Sequence, residues 1–243
     1  MQTKNIAFVL AAIIGGAACT HTPAPKSEQT TPQEKVQSAP AKQNIIKKHI
    51  NIPSDFSYIT NLGSIDIYYT QGDFCIDVEG DSTTLSYLDA RFDSNLLTVN
   101  IKTDNIPELN KYGYTSHVKM YVSCPDLKCV SICGNGKFES QGIWKTKDLQ
   151  LGVLGTGAMQ LEHIECTSFT LHSNKIGNVS IGKLIADEAN IYSVSAAHID
   201  VNMDVKNLAV INEGKQTMTF TGTAQNVKIK NPDDPNLKNE LNQ

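Results

Sequence analysis

The chain lacks an apolar run long enough to cross a bilayer. "IAFVLAAII", from Ile6 to Ile14, falls well short of the roughly 20 residues that a membrane helix needs. It also lacks a basic run or a basic stripe interleaved with aromatics, and acidic residues outnumber basic ones 25 to 21. That balance excludes the electrostatic footprint of a nucleic-acid binder. There is no Cys-x-x-Cys, and the histidines at 21, 49, 117, 163, 172 and 198 stand singly, so no metal site and no other cofactor are expected. No Gly-x-Ser-x-Gly offers a strained nucleophile turn. The glycines of "GTG", Gly155–Gly157, precede alternating residues and no glycine-lysine helix start, which excludes a phosphate loop.

The short apolar stretch has its own meaning. Lys4 precedes it and "GGAAC" follows it, ending at Cys19, the layout of a secretion signal. "GGAAC" resembles a bacterial lipobox, with Gly16 where leucine is common, and implies cleavage before Cys19 and lipidation of its thiol. The expectation is a lipoprotein signal peptide over 1–18 and a lipidated Cys19 that tethers the protein to a membrane. A Pro/Thr-rich linker over 19–43 follows, with too little apolar surface to offset its chain entropy. Extended, the linker reaches about 75 Å at roughly 3.1 Å per residue. Removing Lys4 with the signal leaves 20 basic against 25 acidic residues, a formal charge of −5. Five cysteines then remain, at 75, 124, 129, 133 and 166, an odd number that predicts at least one free thiol. Cys129 and Cys133 fall on one face of a predicted strand about 13 Å apart, too far to bridge, and read as small core residues.

From about residue 121 the sequence is periodic. The apolar residue after each turn falls at Phe138, Met159, Val179, Ile199 and Met218, at intervals of 21, 20, 20 and 19. A second follows two places later at Leu161, Ile181, Val201 and Phe220. A preceding strand keeps step at Leu127/Cys129, Leu149/Leu151, Phe169/Leu171, Ala189/Ile191, Leu208/Val210 and Val227/Ile229. Alternation within a coil and repetition between coils predict an all-β, right-handed β-helix-like solenoid of about 20-residue coils over 121–232. Gly, Asn and Ser at the corners are expected to supply left-handed backbone conformations. Residues 233–243 read as a C-terminal tail.

Residues 44–120 are β-rich with another rhythm. "FSYITNLGSIDIYYTQGDFCIDVEGD", "LLTVNIKTD" and "HVKMYVSCP" alternate with period two, and read as a capping β-sheet region packed on the solenoid. "STTLSYLDARF", residues 82–92, hints at a helical turn. "IYYTQGD" and its flanking strands, followed by coils with glycine corners, resemble the head GIN domain family of putative auto-transporter adhesins over about 44–230. That resemblance implies a β-helix-like fold in an exported, envelope-located lipoprotein, and an adhesin-like role.

Chemistry is sparse. Asp187, Glu188, Asp200 and Asp204 are the nearest approach to the acidic cluster of a carbohydrate-active β-helix enzyme. Their spacing does not follow the coil, so they read as solvated charges, and no catalytic or cofactor-binding residue is assigned. Tyr68, Tyr69, Tyr112 and Tyr114 are candidates for an aromatic sugar platform, against the plainer reading of strand packing. The expected function is a non-catalytic, adhesin-like binding module at the outer membrane or cell surface, with a glycan or protein ligand. A polysaccharide lyase or pectinase-like enzyme is the alternative.

Overall fold

Strict alternation of apolar and polar residues makes these segments strands, and a break in the alternation bends each one. The computed structural model describes residues 44–102, 118–194, 196, 198–215 and 217–242; Cys19, the linker, Tyr112 and Tyr114 lie outside them. In the strand β11, Ala158–Ser173, Met159 and Leu161 point inward, then Ile164, then Phe169 and Leu171. The shift of phase between Leu161 and Phe169 turns the chain from one wall of the molecule to the other. β12 (Val179–Ser193), β13 (His198–Asn212) and β14 (Thr217–Ile229) repeat the same bent strand. β9 (Lys137–Lys145) and β10 (Asp148–Val153) form an earlier coil with the bend opened into a short break.

All of these coils pair in parallel, and their register stacks like on like. Phe138, Met159, Val179, Ile199 and Met218 form one rung, and Leu161, Ile181, Val201 and Phe220 a second. On the opposite wall Leu149, Phe169, Ala189, Leu208 and Val227 align, as do Leu151, Leu171, Ile191, Val210 and Ile229. Burying each large apolar side chain contributes roughly 1.5–3 kcal/mol, and no coil could bury its inner face without a neighbour on either side. The architecture is therefore an all-β solenoid with coils of about 20 residues.

The N-terminal region is threaded into this stack as well as capping it. β2 (Tyr58–Asn61) lies between β6 (Leu96–Ile101) and β8 (Cys129–Ile132) on one wall. On the other, β3 (Ile65–Gln71) lies between β7 (Val118–Cys124) and β9. A coil early in the chain is thus clasped between two later ones. The capping role falls to β1 (Ile45–His49), β4 (Cys75–Asp81) and β5 (Leu88–Asp93), which run antiparallel at the outer end of the sheet. The helical hint shrinks to α1, Ser82–Ser86, one turn C-capped by Tyr87 and N-capped by Asp81, whose side chain accepts from the amides of Thr83 and Thr84; Leu88 to Phe92 enter β5.

Three expectations need correction. Val130 and Ile132, not Cys129, occupy the inner positions of β8: Val130 pairs with Leu151 and Cys129 with Gln150, while Leu127, just before the strand, is buried as expected. The repeat lengthens by one residue there, and a one-residue slip reverses the faces of a strand; Cys129 and Cys133 are half-buried. The corner glycines are not left-handed either, since among the described residues only Gly142 and Gly222 are glycines with positive φ. Close stacking demands them instead: a Cβ on Gly155 would lie 2.0 Å from the Gly134 carbonyl oxygen, and one on Gly157 2.0 Å from that of Gly136. Finally, the expected tail contains β15, Leu237–Asn242, which extends the ladder in parallel with β14.

Candidate functional site

Side chains that alternate outward on a parallel stack must themselves form rows. On the wall that carries β3 and β7, the register aligns Asp77, Tyr121, Tyr68, Glu139, Gln160, Ser180, Asp200, Thr219 and Lys238 across nine strands. At about 4.8 Å per strand the row is roughly 38 Å long. Its middle is polar and uncharged. Its N-terminal end is aromatic and acidic, with the rings of Tyr68 and Tyr121 stacked at 5.4 Å and 22°.

Tyr121 is 39% exposed and Tyr68 half-buried, so the pair offers a flat apolar surface with polar rims. Burial first, then the negative charges of Glu139 and Asp66, push the Tyr68 hydroxyl above its ordinary value, so it remains a neutral donor. Asp66 accepts from the Lys137 amide at 3.0 Å, and Lys119 stands opposite Asp66. An aromatic plane bordered by carboxylates is chemistry that suits sugar rings, whose C–H faces stack on π-systems and whose hydroxyls donate to carboxylates.

Tyr69 points the other way. It is buried, packs on Trp144 with centroids 4.8 Å apart, and donates to the Cys124 carbonyl at 3.2 Å. Burial drives its hydroxyl pKa far up. Tyr69 is thus a strand-packing residue, whereas Tyr68 faces outward against Tyr121. Tyr121, which sequence reasoning missed, completes the pair: nothing in the alternation of β7 alone shows that it lies beside Tyr68, fifty-three places earlier.

The acidic candidates are not brought together. Asp200 lies in the outward row, and Asp204, four residues further along β13, accepts from the Thr223 hydroxyl at 2.7 Å. Asp187 sits at the bend, paired with Lys206 at 2.6 Å, while Glu188 has passed to the other wall, opposite Asn207. That other wall carries a smaller aromatic pair, His172 and Tyr192, with centroids 5.8 Å apart; the Tyr192 hydroxyl donates to Glu213 at 3.4 Å. At the outer edge of the first wall, antiparallel pairing juxtaposes three groups that sequence reading left apart. His49 Nδ1 lies 2.8 Å from Asp77 Oδ1, and Cys75 Sγ lies 3.9 Å from Asp77 Oδ2. The alternation Cys75-x-Asp77 was legible; its partner His49 was not, because the β1–β4 register is a tertiary fact.

Comparison with known proteins bears on fold and kinship. A family model described as "Putative auto-transporter adhesin, head GIN domain" matches residues 55–183, more than half of the 243. The crystal structure of a putative adhesin from Bacteroides fragilis NCTC 9343 shares the fold with TM-score 0.61 at 16% identity, covering 83% of this chain and 96% of that one. A putative lipid binding protein from Parabacteroides distasonis ATCC 8503 aligns with TM-score 0.43 at 18% identity, over 82% and 95%. A putative adhesin from Parabacteroides merdae ATCC 43184 gives 0.43 at 18%, over 82% and 96%. No curated protein matches the sequence.

Proposed function

Since the chain belongs to the putative auto-transporter adhesin, head GIN domain family, we propose that it is a non-catalytic, adhesin-like binding module of the cell envelope whose ligand lies along the outward row of the solenoid. The observation that carries this reading is the stacked Tyr68/Tyr121 pair, bordered by Asp77 and Glu139 at the head of a polar row. A row roughly 38 Å long at about 4.8 Å per strand matches an extended polymer better than a compact small molecule. A glycan or envelope polysaccharide fits the aromatic plane and its carboxylate rim. Lipidation at Cys19 would hold the module on a membrane, with the linker over 19–43 as its stalk. Among the described residues no helix is long and apolar enough to cross a membrane.

A glycan array probed with the mature chain and with Tyr68→Ala/Tyr121→Ala tests the site. Binding that the double variant loses at least tenfold, with the melting transition retained, supports the reading. Equal binding by both proteins refutes this location, and release of shortened or unsaturated sugars from a bound glycan would overturn the non-catalytic role. The anchor is tested separately: Cys19→Ser is expected to move the protein from the membrane to the soluble fraction, and unchanged detergent partitioning would refute lipidation.

A further inference from the structure

We propose that His49, Cys75 and Asp77 form a binding site for a divalent cation of the zinc class, which pins β1 to the outer edge of the sheet. The three ligand atoms lie within 4.8 Å of one another, on one face of two paired strands. His49 stands directly opposite Asp77 in the antiparallel register. Cys75 precedes Asp77 by two places, so both project to the same side.

The separations are close to what coordination asks. Ligand atoms about 2.0–2.3 Å from a tetrahedral zinc lie roughly 3.3–3.5 Å from each other. His49 Nδ1 lies 2.8 Å from one Asp77 oxygen and Cys75 Sγ 3.9 Å from the other, so an ion held through a single Asp77 oxygen asks that carboxylate to rotate and the three ligand atoms, now within 4.8 Å of one another, to draw together by at most roughly 1.3 Å. The two carboxylate oxygens of Asp77 already face one partner each. His49 and Asp77 are 63% and 53% exposed, so these side chains can rotate that far and a water molecule can complete the shell. A thiolate and an imidazole select zinc-class metals over calcium or magnesium, which prefer all-oxygen sites.

The location gives the site something to do. All five residues of β1 are exposed, so burial contributes little to holding this strand in place. Apart from its ladder bonds to β4, it is held by surface contacts such as Lys47 with Glu79 at 3.2 Å and the Asn44 amide with Asp81 at 3.2 Å. Exposed pairs of this kind contribute about 0–1 kcal/mol. A metal bridging His49 on β1 with Cys75 and Asp77 on β4 would close this edge in proportion to occupancy.

Zinc(II) titration of the full mature chain by equilibrium dialysis, with cobalt(II) as a spectroscopic substitute, tests the proposal against His49→Ala, Cys75→Ser and Asp77→Asn. One ion per chain is expected, with a thiolate-to-cobalt charge-transfer band that Cys75→Ser abolishes and at least tenfold weaker binding in each of the other variants. Zinc should also slow amide hydrogen exchange in β1 in the parent chain and not in Asp77→Asn. All three side chains lie at the sheet's outer edge, so the variants should keep the parent melting transition. A charge-transfer band that persists in Cys75→Ser, parent-like affinity in the variants, or no binding by the parent chain would each overturn the assignment.

Discussion

At the corner glycines a single hydrogen atom decides whether two coils can meet. Gly134, Gly155 and their neighbours Gly136 and Gly157 stack so closely that a side chain has no room: a Cβ on Gly155 would meet carbonyl oxygens of Gly134 at 2.0 Å and Cys133 at 2.4 Å. The obstacle is backbone, which cannot rotate away. Gly155→Ala is expected to cost about 3 kcal/mol or more, read as a fall in the urea midpoint. Gly142, with φ of +71° and nothing within 4 Å of the added atom, should lose less on the same change, and for backbone strain alone. The thiols make a second residue-scale prediction. Burial raises Cys124 and Cys166 from the ordinary value of 9.0 to about 12, and raises Cys129 and Cys133 as well. Above pH 9 the unfolded chain gives up these protons while the native chain keeps them, so the native state binds more protons and stability falls as pH rises. It should be fully retained below pH 9 and decline between 9 and 12, with a shallower decline in Cys166→Ala; a flat profile in urea melts across that range would contradict it.

At the scale of the element, the long bent strand is the unit, and its faces are set by register. Ile181 is 2% exposed between Leu161 and Val201, while Ser180 faces solvent between Gln160 and Asp200. Ile181→Asp buries a carboxylate without a partner inside the ladder and should cost several kcal/mol or prevent folding. Ser180→Asp should cost about 0.5 kcal/mol. Thermal melts of the two variants decide it, and equal losses would mean that the strand is assigned to the wrong face. β15 is the terminal strand at the C-terminal end, and it is polar and charged, "LKNELN", as suits an edge that must not recruit a second sheet.

For the whole molecule, stability is expected to vary along the axis. In a stack where each coil contacts its neighbours, the ends open first. The C-terminal end is a simple succession of coils, β12 to β15. The other end is knitted together by β2 and β3, which lie between strands that come later in the chain. Amide exchange should therefore be faster in β15, which pairs with β14 alone among the described strands, than in β3 and β9, where opening requires separating strands on both sides. Faster exchange in β3 would show that threading adds no local stability. The same threading makes the early contacts non-local, which slows folding relative to a plain succession of coils.

Period and alternation were readable because both are properties of neighbours in the chain. An apolar residue every second place makes a strand, and its return after about 20 places makes a coil, so the rungs through Met159, Val179 and Ile199 could be drawn before any coordinates. Family resemblance was legible for the same reason, in "IYYTQGD" and the corners that follow. What the chain could not show is which distant segments become neighbours. The insertion of β2 and β3 between later strands, the partnership of Tyr68 with Tyr121, and the meeting of His49 with Cys75 and Asp77 all depend on pairing between segments tens of residues apart. The glycines were found by sequence but explained wrongly by it. Left-handed freedom is a property of one residue, whereas the contact of Gly155 with Gly134 exists only once two coils are stacked, and that is a decision of the tertiary structure.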